Sequence, residues 1–213
     1  MPRTKTSLDV TIEPLELRIK YPESTPVTFG GQDFLRDSAL NAARQIERVP
    51  LSDIRPQQKP GVYVLFFSKR TRSLSKYGGI LGSGQFPVYI GKAKLLPDRL
   101  SRHRRAIVAA KGLAIEDFTV GVIYTDTLAM AGAAEEMLIE AIRPPWNEKA
   151  LSGFGSRDPG STRCEQRPSG FDCLHQRDWV QAPTTDEKAA AKKALKAYLS
   201  SGYVRAIWPE LNS

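Results

Sequence analysis

The spacing of apolar residues along the chain predicts a small sheet near its middle. A continuous apolar run over 61–67 predicts a buried strand, and shorter apolar runs over 88–91 and 118–124 predict two more. We expect the first two strands to pair antiparallel, although a long polar connection over 68–86 separates them. A looser alternation over 8–20 predicts one or two short edge strands.

Helical spacing of apolar residues predicts four helices around these strands. They cover 32–48, 97–111, 128–142 and 185–200. Thr185 and Asp186 are expected to cap the last helix, and Pro50 is expected to end the first and to begin a loop over 50–60. Residues 151–172 lack periodicity and predict a long loop. This order of elements predicts an α+β fold, with a small central antiparallel β-sheet flanked by helices.

The length of the chain fits one compact domain with an extension at each end. A chain of 213 residues is long enough to bury a substantial core. We expect an N-terminal arm and helix over 1–55, a core over 56–180 and a C-terminal helical extension over 181–213. The core would contain the insertion over 68–86 and the glycine-rich loop over 151–172.

The charge of the chain favours a polyanionic partner such as a nucleic acid. Lysine and arginine number 31 against 23 acidic residues, which gives a formal net charge of +8. No stretch approaches the roughly 18 consecutive apolar residues of a membrane helix, and no apolar run follows the basic first residues. We therefore expect a cytoplasmic protein that does not bind a membrane.

The two cysteines of the chain favour inert thiols over a metal site. Cys164 and Cys173 are too few for a disulfide scaffold, and together with His175 they offer three zinc ligands. Their spacing fits no common zinc motif and no fourth ligand is evident, so a structural zinc is the less favoured interpretation.

Basic residues are concentrated on the predicted helix over 97–111. Arg99 and His103 are four positions apart and therefore share one helix face. Further arginines follow closely, at Arg102, Arg104 and Arg105. A solvated basic face is one interpretation, but phosphate binding explains this charge density better, because the arginines repel one another unless an anion is near.

The predicted helix over 128–142 carries one glutamate on its apolar side. On a helical wheel Glu135 falls inside the apolar arc, whereas Glu136 and Glu140 fall outside it. The buried stripe of this helix is defined by Ala131, Leu138 and Ile142. A carboxylate aimed into a core is costly unless it is paired or binds a metal. Glu135 is therefore either part of a buried ion pair with an arginine or a metal ligand.

Taken in order, these residues resemble the motifs of the GIY-YIG nuclease superfamily. That superfamily has a G-x-Y strand, a Y-x-G strand, a helix with an arginine four residues before a histidine or tyrosine, a helix with one glutamate, and an asparagine. The corresponding residues here are Gly61 to Tyr63, Tyr89 to Gly91, Arg99 with His103, Glu135, and Asn147. The twelve-residue step from Glu135 to Asn147 matches the superfamily and selects Glu135 independently of the helical wheel.

The resemblance is strongest to one branch, the type II restriction endonucleases of this superfamily that cut CCGCGG. The insertion over 68–86, the Gly91-Lys92-Ala93 continuation and His103 are similar to that branch, as are the stretches Gly153 to Arg163 and Phe171 to Trp179. This resemblance implies hydrolysis of double-stranded DNA at a short GC-rich palindrome. The expected products carry 5′-phosphate and 3′-hydroxyl ends.

The resemblance also implies a role for each site residue. Glu135 would hold a single Mg²⁺, for which Mn²⁺ is a possible substitute, and Arg99 would clamp the scissile phosphate. Tyr63 would orient or deprotonate the attacking water, with His103 or Tyr89 as acceptor or relay of its proton. Asn147 would hold the site by hydrogen bonds.

Cleavage of both strands of a palindrome implies a C2 homodimer and, in a restriction system, a cognate DNA methyltransferase in the same host. Candidate DNA-binding residues are Lys92, Arg102, Arg157 and Arg163. Strand parity places Lys92 opposite Tyr89, which makes it a weaker candidate for the catalytic site. The alternatives are a homing or repair-type GIY-YIG nuclease, a catalytically silent DNA-binding protein on the same fold, and a basic protein-interaction module.

Overall fold

Among the residues that the structure describes, four strands form one sheet, and the predicted antiparallel character of the sheet is confirmed. The structure is a computed structural model that describes residues 37, 41–68, 76–77, 86–155, 167–202 and 206. Its strands are β1 (Val49–Pro50), β2 (Gly61–Phe67), β3 (Pro87–Ala93) and β4 (Phe118–Tyr124), which lie in the order β1-β4-β2-β3. The pairs β1–β4, β2–β4 and β2–β3 are each antiparallel. The predicted pairing of β2 with β3 is confirmed.

Helices flank this sheet within the described residues. They are α1 (Leu96–Val108), α2 (Leu128–Ile142), α3 (Gly170–Leu174) and α4 (Thr185–Ser200), and a short 3-10 helix (Ile115–Asp117) precedes β4. Pro97 lies in the first turn of α1, where its missing N–H costs no hydrogen bond. The Thr127 side chain accepts from the Met130 N–H and so caps α2, and Arg143 ends that helix in the left-handed conformation.

Strand β2 lies inside the sheet and is buried along its whole length. This burial on both faces explains its continuous apolar sequence, because neither face needs polar side chains. On α2, the buried residues are Ala131, Leu138, Ala141 and Ile142, so the stripe predicted from the helical wheel is confirmed. The core therefore lies on both sides of β2, between the sheet and the helices.

Several predicted boundaries are wrong, and local hydrogen bonds explain the differences. Val49 and Pro50 pair with β4, and the helix predicted over 32–48 ends earlier, at residue 45. Helix α1 ends at Val108 and not at 111. Helix α3 forms inside the loop predicted over 151–172, because Ser169 and Asp172 cap it reciprocally. Helix α4 is capped by Thr184, one residue before the predicted cap.

Some predictions lie outside the described residues. These are the edge strands over 8–20, most of the insertion over 68–86, the central part of the 151–172 loop, and the first part of the helix predicted over 32–48. Within the ranges that are described, none of the helices combines the length and the apolar character needed to span a membrane.

His175 belongs to a buried hydrogen-bond network and not to a metal site. Its Nε2 lies 2.6 Å from the Tyr77 hydroxyl, and its Nδ1 lies 3.2 Å from the Lys111 carbonyl oxygen. Trp146 Nε1 donates to the same Tyr77 hydroxyl at 3.0 Å. Both ring nitrogens of His175 thus have hydrogen-bond partners within the protein. Cys164 lies outside the described residues.

Candidate active site

Helix α1 directs His103 and Arg99 at the sheet. His103 belongs to the buried face of α1, together with Leu96, Leu100, Ala106 and Ile107. It is only 2% exposed, and Arg99 is half-buried one helical turn earlier. The four-residue spacing that predicted a shared face thus places both side chains over the β2–β3 pair.

The Tyr63 hydroxyl joins these two side chains. It lies 2.6 Å from His103 Nε2, and it accepts a hydrogen bond from Arg99 Nε at 3.1 Å. Since Arg99 can only donate, the hydroxyl proton of Tyr63 is available for His103 Nε2. The rings of Tyr63 and Tyr89 lie 6.1 Å apart, and Tyr89 also contacts His103 edge-on. Four of the six predicted catalytic residues therefore form one cluster.

Gly91 makes room for this cluster. Tyr63 and Gly91 are directly paired across β2 and β3, so they share a face of the sheet. A Cβ at position 91 would collide with the Tyr63 hydroxyl and with the Tyr89 ring. The glycine of the Y-x-G motif is therefore required by the close approach of both tyrosine rings.

Burial keeps Tyr63 and His103 neutral. Desolvation raises the pKa of Tyr63 well above its ordinary value, and the positive charge of Arg99 opposes this only in part. Desolvation lowers the pKa of His103 well below 6.5, and Arg99 and Arg177 lower it further. Both groups are therefore neutral at rest, and both shifts oppose transfer of the hydroxyl proton to the imidazole. The 2.6 Å contact gives the path for such a transfer, which a nearby negative charge would favour.

The two buried histidines predict a loss of stability at acidic pH. Burial lowers the pKa of His175 to about 3, and that of His103 also lies below its value in the unfolded chain. The unfolded chain therefore binds more protons than the folded chain as the pH falls below about 6.5. Above that pH, the two histidines should not reduce the free energy of unfolding. Below it, each histidine should remove up to about 1.4 kcal/mol per pH unit.

Urea unfolding between pH 7.5 and 5 would measure this dependence. A His103→Gln variant, which removes one of the two titrating rings, should show about half of the slope. A free energy of unfolding that stays constant from pH 7 to pH 5 would show that the histidines are not held neutral.

The outer edge of β3 holds the other two predicted residues. β3 has only β2 beside it in the sheet, so part of its backbone faces away from other strands. Asn147 accepts from the Ile90 N–H and donates to the Ile90 carbonyl oxygen, both at 2.9 Å. Glu135 Oε1 accepts from the Lys92 N–H at 2.9 Å, and the Trp146 N–H donates to Val88 O at 3.1 Å. The twelve-residue step between Glu135 and Asn147 thus brings both side chains to one strand edge.

Glu135 is paired with a lysine and not with an arginine. Lys92 Nζ lies 3.0 Å from Glu135 Oε2, and the two side chains are 39% and 17% exposed. Glu136 and Glu140 are exposed, as the helical wheel predicts. The carboxylate of Glu135 lies close enough to Tyr89 to raise the pKa of that phenol, in addition to the larger effect of burial. The electrostatic contribution of Glu135 at Tyr89 is thus a small one.

The donor set at Glu135 fits a cation such as Mg²⁺, which takes one or two carboxylates and retains several waters. Glu135 offers a single, partly accessible carboxylate. Across the described parts of the chain, no three histidine, cysteine, aspartate or glutamate side chains come together as a metal cluster. Among the described residues, Glu135 is therefore not part of a closed site of the zinc type, in which the protein supplies all the ligands.

The predicted DNA-binding residues have different surroundings. Arg102 is exposed on α1, and Lys92 binds Glu135 from the sheet face opposite Gly91. Arg157 and Arg163 lie outside the described residues. Arg104 is used structurally, since it donates to the carbonyl oxygens of two residues in the 51–54 turn, Leu51 and Ile54. The arginine cluster of α1 therefore does not act as one anion-binding surface.

Sequence reasoning missed two residues of the site, Phe154 and Gly155. The Phe154 ring stacks on His103, and the Gly155 carbonyl oxygen accepts from Arg99 at 2.7 Å. Both lie in a segment without periodicity, which gave no reason to expect a fixed contact. The available signals were the position of Phe154 between Gly153 and Gly155 and the resemblance of the stretch that begins at Gly153.

Comparison with known protein families matches the chain to a family of nucleases. A sequence profile described as the Eco29kI GIY-YIG domain, a restriction endonuclease family, matches residues 90–199, which is more than half of the chain. Among solved structures, the chain is similar to the GIY-YIG N-terminal endonuclease domain of UvrC from Thermotoga maritima, bound to its catalytic divalent cation, magnesium. The identity is 21% and the TM-score 0.29, over 53% of this chain and 98% of that chain. A comparison with curated proteins finds no match.

Proposed function

We propose, because the chain belongs to the Eco29kI GIY-YIG domain family, that it is a type II restriction endonuclease. Its substrate would be double-stranded DNA with a short GC-rich palindrome, CCGCGG by resemblance. The observation that carries this proposal is the Tyr63 hydroxyl held between His103 Nε2 and Arg99 Nε. A partly accessible carboxylate, Glu135, lies at the edge of the neighbouring strand β3. A silent DNA-binding protein would not need a proton acceptor at His103, a guanidinium at Arg99 and a candidate metal ligand at Glu135.

The mechanism begins at the Tyr63 hydroxyl. A water beside it would give its proton to the phenol oxygen while the phenol proton passes to His103 Nε2. The proton acceptor is then His103, which becomes an imidazolium, and Tyr63 ends neutral as it began. Because both groups are buried and neutral at the start, this relay needs no charged tyrosine in the resting enzyme.

The phosphate would be held by Arg99 and by a cation at Glu135. The guanidinium lies beside the Tyr63 hydroxyl, so a phosphate on Arg99 would stand next to the activated water. Glu135 would hold a Mg²⁺ ion, which would neutralise charge at the phosphate. Asn147 keeps β3 in place through its two hydrogen bonds to Ile90. The deprotonated water would form the new P–O bond as the P–O3′ bond breaks, and the leaving 3′ oxygen would take a proton from solvent. The products would be 5′-phosphate and 3′-hydroxyl ends.

Cleavage of both strands would need two copies of the chain. One cluster of this kind cuts one strand, so a palindrome would be cut by a C2 homodimer with one cluster at each half-site. Lys92, Arg102, Arg157 and Arg163 are the residues that we propose contact DNA. A methyltransferase of the same specificity would protect the host DNA in the cytoplasm.

Digestion of a large unmethylated phage DNA would test this function. The purified protein is incubated with the DNA with and without Mg²⁺, or with Mn²⁺, and the fragment ends are sequenced. Discrete Mg²⁺-dependent fragments that share one palindrome are expected. Scattered nicks would instead indicate a repair-type nuclease, and intact DNA with a mobility shift would indicate a silent binder.

A further inference from the structure

The turn over 153–155 contacts two groups of the proposed catalytic cluster at once. The Phe154 ring lies nearly parallel to the His103 imidazole, with centroids 4.7 Å apart and an interplanar angle of 13°. The same ring meets Tyr89 edge-on, at 5.0 Å and 74°. Phe154 is 1% exposed, so it also keeps water away from this side of His103. A flat apolar surface of this kind fixes the plane of the imidazole without offering a competing hydrogen bond.

Gly155 holds the second group, Arg99. Its carbonyl oxygen accepts from one terminal nitrogen of the Arg99 guanidinium at 2.7 Å, while Nε of the same guanidinium donates to Tyr63. The two bonds fix the orientation of the planar fork. A Cβ at position 155 would collide with the Tyr89 hydroxyl and come within 3.3 Å of Arg99, so the turn can approach this closely only as glycine.

A buried ion pair anchors the turn from its other side. Arg177 donates to the Gly153 carbonyl oxygen at 3.1 Å and to both Asp172 oxygens, at 2.6 and 3.0 Å. Arg177 is 1% and Asp172 4% exposed. Gly153 has a φ of +121°, in the region that favours glycine, and a Cβ there would collide with Ser169. Burying a charge pair this completely costs desolvation free energy. Here the Arg177 guanidinium of that pair also holds the turn, through the Gly153 carbonyl oxygen.

We propose that the 153–155 turn, anchored by Arg177, is a positioning element for the catalytic groups. Phe154 fixes the plane in which His103 Nε2 meets the Tyr63 hydroxyl, and Gly155 fixes the guanidinium of Arg99. Phe154 is thus a positioning residue that acts through His103. The catalytic part of this inference rests on the proposed nuclease function, whereas the fixed orientation of His103 does not.

Nuclear magnetic resonance of ¹⁵N-labelled histidine tests the orientation directly, in the absence of DNA and metal. The chain has two histidines, and His175 stacks on Tyr77 instead, at 5.7 Å and 7°. In a Phe154→Leu variant, the His103 ring protons should shift downfield, because the stacked ring is gone, and its nitrogen signals should broaden or average between tautomers. His175 packs on Trp146 and Phe171, which in turn pack on Phe154, so its signals serve as the internal control and should shift less than those of His103. Unchanged His103 signals would overturn the proposal.

Cleavage kinetics supply the second measurement. Phe154→Leu should lower kcat by about 10-fold to 100-fold and leave KM for DNA nearly unchanged, because orientation and not binding is lost. The matched control is Phe118→Leu, since Phe118 is equally buried and contacts Trp146 but lies in β4. Equal losses of kcat in the two folded variants would contradict a positioning role. If the wild-type protein does not cleave DNA at all, the proposed function fails, and the histidine spectra still decide the orientation.

Discussion

Replacement of Glu135 by glutamine should abolish DNA cleavage and leave DNA binding largely intact. The amide oxygen can still accept from the Lys92 N–H, so the edge of β3 keeps its hydrogen bond. The negative charge that would hold a divalent cation is lost. We expect the cleavage rate to fall about 1000-fold or more, which corresponds to several kcal/mol of transition-state stabilisation. Digestion with Mg²⁺ and a mobility shift without it measure the two properties separately.

The matched control for this experiment is Glu136→Gln. Glu136 is the adjacent residue on α2 and is exposed, so its loss should change neither cleavage nor binding. Loss of cleavage in Glu136→Gln alone would mean that the wrong glutamate has been assigned. Equal loss of cleavage and binding in a folded Glu135→Gln protein would mean that Glu135 is a structural or DNA-contacting residue.

Replacement of Tyr63 by phenylalanine should also remove most of the activity. The substitution deletes one hydroxyl, which leaves His103 Nε2 and Arg99 Nε without their shared partner. Loss of proton transfer should lower kcat by about 100-fold to 10,000-fold. The unpaired buried groups should lower the free energy of unfolding by about 1–3 kcal/mol. Single-turnover cleavage and urea unfolding measure the two effects.

The structure offers a close control in Tyr77→Phe. The Tyr77 hydroxyl also lies 2.6 Å from a histidine Nε2, that of His175, and it is buried as deeply as Tyr63. Its removal should lower stability by a similar amount but leave cleavage in place. Similar losses of cleavage in both variants, at similar stability, would show that the Tyr63 hydroxyl acts through packing and not through chemistry.

The residues of regular elements could be placed from the sequence because periodicity constrains them. The apolar run of β2 has the length of a buried strand and is short for a helix, and the spacing of Arg99 and His103 on α1 fixed their common face. Glu135 was selected by a helical wheel and by its distance to Asn147, and the structure brings both to the edge of β3. Its ion-pair partner could not be predicted in this way, because Lys92 comes from another element and meets it only in the folded chain.

The rest of the site depends on contacts that leave no periodic signal. Phe154 reaches His103 through a turn, and the turn is held by Arg177, which comes more than twenty residues later in the chain. Strand β1 has two residues, too few for an alternation to be visible, and it exists because β4 offers a free edge. Propensity alone would not place Pro50 in a strand, but tertiary pairing at the edge of a sheet does.

The hydrogen bonds along the outer side of β3 also restrict how two copies of the chain can associate. An unpaired strand edge is the usual place for a sheet to continue into a neighbouring chain. Here Val88 O, both backbone groups of Ile90 and the Lys92 N–H are already bonded, to Trp146, Asn147 and Glu135. A dimer formed by extending the sheet across β3 would have to break these bonds and dismantle the proposed metal site. The proposed catalytic residues Glu135 and Asn147, together with Trp146, thus protect this edge from intermolecular strand pairing. The second copy that we propose would bind to another surface.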